Sequence, residues 1–249
     1  MPFANHNGLQ LASGAEIFRF WSGGKTPKSA DALVTHDDFL QLAHTALSNF
    51  FAAPIRCYLN GVLVVFPSAE HLFQALMAPD HVADFLVKGP IGELNEAAFA
   101  FVGVKAEERA KKVNVWSRTH AVGILAKMHI KRLKEQGKKR ELSGEHCYRA
   151  VKLILHAKYR QNILESHALR TTRGKYLLEF AKGARREISK GREVLWGGLV
   201  EDGRVVGNNQ MGALMMEVRD EIPEMRGEPL QFPHFEDLAF GTPPALVEM

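Results

Sequence analysis

Glu70 is the residue whose neighbours most clearly suggest acid–base chemistry. Phe66, Leu72 and Phe73 give it apolar surroundings in the sequence, and Gln74 follows one helical turn later. Apolar surroundings raise the pKa of a carboxyl group, which is how an enzyme prepares a general acid or base. Taken alone, the pattern favours a structural role, because a glutamate in the first turn of a helix is common.

Lys158 and Asn162 lie in the middle of the apolar face of a predicted helix, beside Val151 and Ile154. A lysine at such a position must either lose its hydration at considerable cost or project into a pocket that holds a partner. Snorkelling at the helix margin is the alternative. The central position favours the pocket. The opposite, polar face of this helix is predicted to carry Arg149, Lys152, His156 and Arg160.

The segment Glu193–Gly198 is a third candidate for chemistry, because a carboxylate precedes Trp-Gly-Gly by three residues. Adjacent glycines allow a backbone to approach a ligand closely, and the indole of Trp196 offers a face on which a base can stack. The chain contains no glycine-rich phosphate loop, no HExxH metal motif and no GxSxG nucleophile motif. We therefore expect neither a metal nor a cofactor.

Local signals predict the elements that must hold these side chains. Residues 17–21 predict a short strand, and residues 55–66 predict a β-hairpin around Asn60-Gly61, a pair suited to a type I′ turn. Ser68 is the predicted N-cap of the helix that follows. A second hairpin is expected around Asp202-Gly203. The closing helix is predicted from an apolar stripe through Met211, Leu214, Met215, Val218 and Ile222.

The composition is that of an ordinary globular protein, with 46% apolar and 24% charged residues in a chain of 249. No apolar run reaches the length of a spanning helix and the N-terminus lacks a secretion signal pattern, so we expect a soluble, cytoplasmic protein without a membrane partner. Cys57 and Cys147 are expected to be free thiols. The formal net charge of +4 favours an anionic ligand, such as a phosphate or a nucleic acid. The basic run Lys131–Glu145 is interpreted as an exposed helix end and loop, with nucleic-acid contact as the alternative.

Seven blocks, taken in order, resemble the NADAR or YbiA-like family of N-glycosidases. They are the strand Phe18–Ser22, the segment Ser48-Asn49-Phe50-Phe51 with Pro54-Ile55, the helix Pro67–Ala75 (PSAEHLFQA), Trp116, the helix end Lys158–Asn162 (KYRQN), the stretch from Thr171 or Thr172 to Glu179, and Glu193–Gly197 with Gly207–Arg219.

The resemblance implies an α+β fold, with one mainly helical domain and short β-hairpins over residues 17–222. Residues 1–16 would be an N-terminal extension. Residues 223–249 would be a proline-rich tail without periodicity, which we expect to wrap the surface or to be mobile. The implied activity is hydrolysis of an N-glycosidic bond. Family substrates include ribosylamino-pyrimidine phosphates of riboflavin synthesis and ADP-ribose attached to guanine in DNA.

By the resemblance, Glu70, Lys158 and Glu193 are the expected catalytic residues. The expected partner is a small ribosylated or ADP-ribosylated base, with DNA as a substrate carrier. The residues expected to bind the substrate are Ser48, Asn49, Phe50, His71, Gln74, Trp116, Asn162, Trp196, Gly197 and Asn208.

Three departures from the family pattern count against the free riboflavin intermediate as the substrate, and the added basic surface fits a larger ADP-ribosylated or nucleic-acid substrate. Glu193 stands where the family usually has Asp, Val104 replaces an arginine, and residues 131–145 look like an insertion. Two chemical routes stay open: a carboxylate that activates water, or an imine formed by Lys158. The alternatives to an enzyme are a protein that binds ADP-ribose without turnover and a nucleic-acid-binding protein.

Overall fold

Helices and short strands share the described part of the chain, so the fold class is α+β, as predicted. The computed structural model describes residues 5–20, 44, 46–59, 61–89, 122–142, 144–181, 183–222 and 230–232. The chain divides into two compact units. The first unit contains Met1–Ser48 and Leu164–Glu224, and the second contains Asn49–Ile163 and Met225–Met249. The predicted domain boundaries at residues 17 and 222 stay a prediction. Trp116 and Val104 lie outside the described residues.

The predicted β-hairpin forms the sheet of the second unit. Strands β2 (Ile55–Leu59) and β3 (Val62–Phe66) pair antiparallel. Gly61, in the turn between them, has a φ of +78°, which is a conformation that glycine adopts without strain. Strand β7 (Leu230–Phe232) adds a third strand that runs parallel to β2. Part of the tail therefore forms a regular element, which so short a run does not reveal in the sequence.

The helices of the second unit pack around α1 (Ala69–Leu76). They are a 3₁₀ helix over Pro79–Phe85, α2 (Val122–Glu135) and α3 (Gly144–Gln161). The Ser68 side chain accepts a hydrogen bond from the backbone N–H of His71, so the predicted N-cap is confirmed. The core beside these helices includes Ile55, Cys57, Phe66, Leu72, Leu76, Phe85, Ile130 and Ile154.

The basic run Lys131–Glu145 forms the end of α2, a loop and the start of α3. Most of its described residues are exposed, with Leu133 buried beneath them. The prediction of an exposed helix end and loop is confirmed. No helix in the described ranges is both long and apolar enough to cross a membrane.

The first unit is built on two parallel strands and a buried helix. Strand β1 (Ile17–Phe20) pairs with β4 (Tyr176–Glu179), and α6 (Gln210–Glu221) packs against β4. The five residues of the predicted stripe, from Met211 to Ile222, are all buried. The remaining elements of this unit are α4 (Ile163–Arg170, whose first residue belongs to the second unit), α5 (Ala184–Ser189), β5 (Leu199–Glu201) and β6 (Arg204–Val206).

The second predicted hairpin joins β5 to β6. Asp202 and Gly203, the two residues between the strands, have φ values of 48° and 74°. Positive φ at both positions is the requirement of a type I′ turn. The Asp-Gly pair therefore identified this turn correctly.

Candidate active site

Glu70 is buried on α1 and held by two hydrogen bonds. Its side chain is enclosed, with 5% of the residue exposed. The Gln74 side chain donates from Nε2 to Glu70 Oε1 at 2.6 Å, one helical turn along. The backbone N–H of Glu70 donates to the carbonyl of Asn49 at 3.0 Å. Residues 49, 70 and 74, which belong to two separate blocks of the sequence, therefore meet in the second unit.

Burial raises the pKa of the Glu70 carboxyl above its ordinary value. The positive charge of Lys127 and the hydrogen bond from Gln74 both lower the pKa, in part opposing the effect of burial. The carboxyl consequently keeps its proton to a higher pH than an exposed glutamate does. A carboxyl group whose pKa is raised in this way is suited to donate a proton to a leaving group.

Helix α2 brings Lys127 to this place through a close contact with Phe50. The backbone N–H of Gly123 donates to the Phe50 carbonyl at 3.1 Å. A Cβ on Gly123 would lie 2.4 Å from the Phe50 Cα, so only glycine permits this approach. One turn later on α2, Lys127 Nζ lies 4.6 Å from the centre of the Phe50 ring. Lys127 was not among the predicted site residues, because its spacing from Gly123 has meaning only once Gly123 is known to touch Phe50.

His71 is a buried neutral histidine beside the N-cap of α1. Its Nδ1 lies 2.9 Å from Ser68 Oγ, and burial lowers the pKa of the ring to about 3. Within the described part of the chain, neither His71 Nε2 nor Gln74 Oε1 has a hydrogen-bond partner. Buried polar atoms without partners are uncommon and costly. Two such atoms lie on the helix that carries Glu70, where a polar ligand could bond them.

Lys158 is fully buried on α3, with 0% of the residue exposed. Snorkelling at the helix margin is therefore excluded for this lysine. Its Nζ lies 5.1 Å from the centre of the Tyr159 ring. Helix α3 packs against α1 within the second unit. His156, predicted on the polar face of the same helix, is buried instead, because tertiary packing covers more of α3 than its apolar stripe indicates.

Asn162 ends helix α3 rather than lying within it. Its Nδ2 donates to the carbonyls of Lys158 at 2.9 Å and Pro54 at 3.0 Å. These bonds tie the end of the helix to the residue before β2. The predicted role of Asn162 in binding stays a prediction.

In the first unit, the candidate residues Glu193 and Asn208 are joined directly. Asn208 Nδ2 donates to Glu193 Oε1 at 2.6 Å, and the Asn208 backbone N–H donates to the Val194 carbonyl at 2.8 Å. Asn208 is buried and Glu193 is exposed. The side-chain amide therefore orients a carboxylate that solvent reaches. Trp196 is half-buried, and Ser48 is buried in the same unit.

Gly197 and Gly198 pack against the protein's own backbone. A Cβ on Gly197 would lie 2.5 Å from the Glu179 carbonyl oxygen, and one on Gly198 would lie 2.6 Å from that of Val206. The two glycines thus serve close packing within the first unit. Contact of Gly197 with a substrate stays a prediction.

Asn209 was missed as a determinant of this region. It adopts the left-handed conformation with a φ of 48°, which asparagine tolerates better than most residues. Its Oδ1 accepts from the Glu179 N–H at 3.0 Å, and its Nδ2 donates to the Leu177 carbonyl at 2.8 Å. The side chain thus bonds a backbone N–H and a backbone carbonyl of β4, the two groups that a neighbouring strand would bond. The sequence signal that could have identified this role is the position of Asn209 directly after Gly207-Asn208.

No family model matches the chain, and no curated protein sequence does. Among solved structures, the NMR structure of the E. coli protein YbiA is similar to it, with a TM-score of 0.41 and 20% sequence identity. The similarity covers 89% of this chain and 92% of that chain. A likeness this distant identifies no activity.

Proposed function

We propose that this protein is a hydrolase that cleaves the N-glycosidic bond of a ribosylated or ADP-ribosylated nucleobase compound. The observation that carries the proposal is the buried Glu70 carboxyl group, which accepts a hydrogen bond from Gln74 and whose pKa burial raises against the opposing charge of Lys127. The ordered blocks that resemble the NADAR family support the choice of bond. Two further polar atoms on α1, His71 Nε2 and Gln74 Oε1, suit the recognition of a polar substrate.

In the proposed reaction, Glu70 donates its proton to the departing base as the bond between the anomeric carbon and nitrogen breaks. Positive charge builds on the sugar in the transition state, and water attacks the anomeric carbon. The Glu70 carboxylate then takes the proton that the attacking water releases, which restores the starting state. The products are the free base and the free sugar or ADP-ribose.

Lys158 offers the second route to the same products. As an uncharged amine, its Nζ displaces the base at the anomeric carbon, and the base leaves with the proton that the amine loses. Opening of the sugar ring turns the resulting glycosylamine into an imine, which water hydrolyses to the free sugar and the lysine. This route requires an uncharged lysine. Trapping with borohydride separates the routes, because only the imine leaves a sugar covalently attached to the protein.

Glu193 is a further candidate catalytic residue, and the family resemblance is the reason for including it. The bond from Asn208 Nδ2 orients its carboxylate, and an oriented carboxylate stabilises positive charge on a sugar. The half-buried Trp196 nearby in the sequence offers an aromatic face for a base.

The proposal is tested by mass spectrometry with ribosylated pyrimidines, NAD-related compounds and ADP-ribosylated DNA as substrates. We expect release of the free sugar or ADP-ribose by the wild type and a loss of about 10²- to 10⁴-fold in Glu70→Gln. Glu165→Gln is the matched control, because Glu165 is an equally buried glutamate, with 5% exposed, in the first unit. Activity is compared at equal folded fraction, measured by thermal unfolding.

Full activity in Glu70→Gln would show that the acid is assigned wrongly. The alternative function, binding of ADP-ribose without turnover, is motivated by Glu193 in place of the family's Asp. It predicts tight binding of ADP-ribose in calorimetry and no product after long incubation. That pair of results would overturn the hydrolase.

A further inference from the structure

We propose that Asn7 is a positioning residue that, together with a backbone bond from His6, holds Asn208 against Glu193. The inference rests on the proposed function, in which Glu193 is a candidate catalytic residue. The resemblance implies that the segment with His6 and Asn7 is an extension outside the catalytic domain. In the structure, the segment belongs to the same compact unit as Glu193 and Asn208.

The two residues bond the Gly207-Asn208 dipeptide at its two ends. Asn7 Oδ1 accepts from the Gly207 backbone N–H at 3.1 Å. The His6 backbone N–H donates to the Asn208 carbonyl at 3.1 Å. Between these contacts, Asn208 donates through its own backbone N–H to Val194 and through its side chain to Glu193. The backbone that carries the Asn208 amide is thus fastened on two sides.

This dipeptide needs external fastening because of its conformation. Gly207 has a φ of +101°, and a Cβ there would lie 2.6 Å from the Gly197 carbonyl oxygen. Glycine has more conformational freedom than any other residue, so a loop that turns on it is poorly held by its own backbone. Bonds from another segment restrict the loop to the one conformation in which Asn208 reaches Glu193.

The N-terminal segment is itself anchored well enough to do this. Gly8 donates to the Val205 carbonyl at 2.8 Å, Val205 donates to the Leu9 carbonyl at 3.0 Å, and Leu11 donates to the Gly203 carbonyl at 2.9 Å. These bonds lay the segment along the outer edge of β6. A fourth anchor is the contact of His6 Nδ1 with the Tyr176 hydroxyl at 2.8 Å.

A protective cover for the edge of β6 is the structural alternative to positioning. The backbone bonds to β6 serve that purpose equally well with any side chain at position 7. The bond from the Gly207 N–H to Asn7 Oδ1 is different, because it forms only when the side chain at position 7 has an acceptor oxygen. The two explanations therefore differ in what a substitution of Asn7 changes.

The test compares four full-length proteins: the wild type, Asn7→Ala, Asn7→Asp and Gln10→Ala. Asn7→Asp keeps the acceptor oxygen. Gln10→Ala is the matched control, because the Gln10 side chain bonds Gly203 in the turn and Arg204 at the start of β6, rather than Gly207. Asn7 and Gln10 are both exposed, so the variants are expected to fold with unchanged Tm.

Hydrogen exchange is measured by mass spectrometry in peptides that cover residues 203–210. Asn7→Ala is expected to raise exchange at Gly207 about tenfold, while Asn7→Asp and Gln10→Ala stay at the wild-type rate. With an active wild type, kcat of Asn7→Ala should fall about tenfold at unchanged KM, and Asn7→Asp should restore it.

Unchanged exchange in Asn7→Ala, or an equal rise in Gln10→Ala, overturns the positioning role. Full activity in Asn7→Ala overturns it as well. A wild type that is inactive on every substrate contradicts the proposed function instead, and the exchange measurement then still decides whether Asn7 holds the loop.

Discussion

Glu70 carries a carboxyl group on which burial and a neighbouring cation act in opposite directions. Burial favours the neutral acid, and the charge of Lys127 favours the carboxylate. Lys127 is exposed, so its charge reaches Glu70 through partly solvated surroundings. Its cationic group also lies over the Phe50 ring, which limits where it can point. We infer that Lys127 lowers the pH at which Glu70 gives up its proton, against the larger opposite effect of burial.

Replacement of Lys127 by Gln should move the pH–rate profile. The charge of Lys127 lowers the pKa of Glu70, so removing it raises that pKa. The limb of kcat/KM that depends on protonated Glu70 should therefore extend to higher pH. Lys131→Gln is the control, because Lys131 is exposed one turn further along α2. A shift toward lower pH, or the same shift in both variants, would count against this role.

At the scale of elements, the dipeptide Asn49-Phe50 joins two helices that the sequence separates widely. The Asn49 carbonyl accepts from the N–H of Glu70 on α1, and the Phe50 carbonyl accepts from the N–H of Gly123 on α2. Both bonds use backbone atoms, so the residue types of the segment Ser48-Asn49-Phe50-Phe51 do not predict them. The position of Lys127 beside Glu70 follows from this connection.

Gly123→Ala should therefore damage the site as well as the packing. A methyl group at this position would meet the Phe50 Cα at 2.4 Å, and backbone cannot move aside as a flexible side chain can. We expect a loss of about 1–3 kcal/mol in the free energy of unfolding, measured with denaturant, together with a fall in kcat/KM.

Gly183→Ala is the matched control for this substitution. Gly183 has a φ of −90°, and nothing lies within 4 Å of a Cβ built on it. Its replacement should leave stability within about 0.5 kcal/mol of the wild type. Equal stability of the two variants would show that the backbone of α2 at Gly123 has room for a methyl group beside Phe50.

The elements also differ in how far their own residues determine them. The hairpins at Gly61 and Asp202-Gly203 turn at residues that favour positive φ. The residue types in the two turns were therefore enough to predict both hairpins. Strands β4 and β7 are three or four residues long and pair in parallel with β1 and β2. Parallel pairing between distant segments leaves no turn signal in the sequence.

At the scale of the whole molecule, the formal net charge of +4 agrees with an anionic substrate. Exposed positive charges include Lys131, Lys134 and Lys138 at the end of α2 and in the loop after it. Lys139 and Arg140 are already paired, with Glu141 at 3.2 Å and Asp80 at 3.4 Å. DNA as a substrate carrier would therefore depend more on the first three.

Neutralising Lys131, Lys134 and Lys138 together to Gln should weaken binding of duplex DNA. The slope of log K against log salt should become shallower by up to about three, because fewer counterions are released. The matched control changes Lys88, Arg173 and Lys190, three exposed charges elsewhere in the chain, to Gln. Fluorescence anisotropy over a salt series measures both proteins. Equal losses would assign the effect to net charge, and no loss would remove DNA from the proposed partners.

The sequence by itself determined the features that depend on near neighbours. The N-cap at Ser68, the two hairpin turns and the buried stripe of α6 all follow from residues a few positions apart. The tertiary structure alone decided that Lys127 acts on Glu70, and that Asn7 bonds Gly207 at a separation of 200 residues. Backbone hydrogen bonds and close glycine contacts make these connections. Such contacts use atoms common to every residue type, so residue types and spacing do not reveal them.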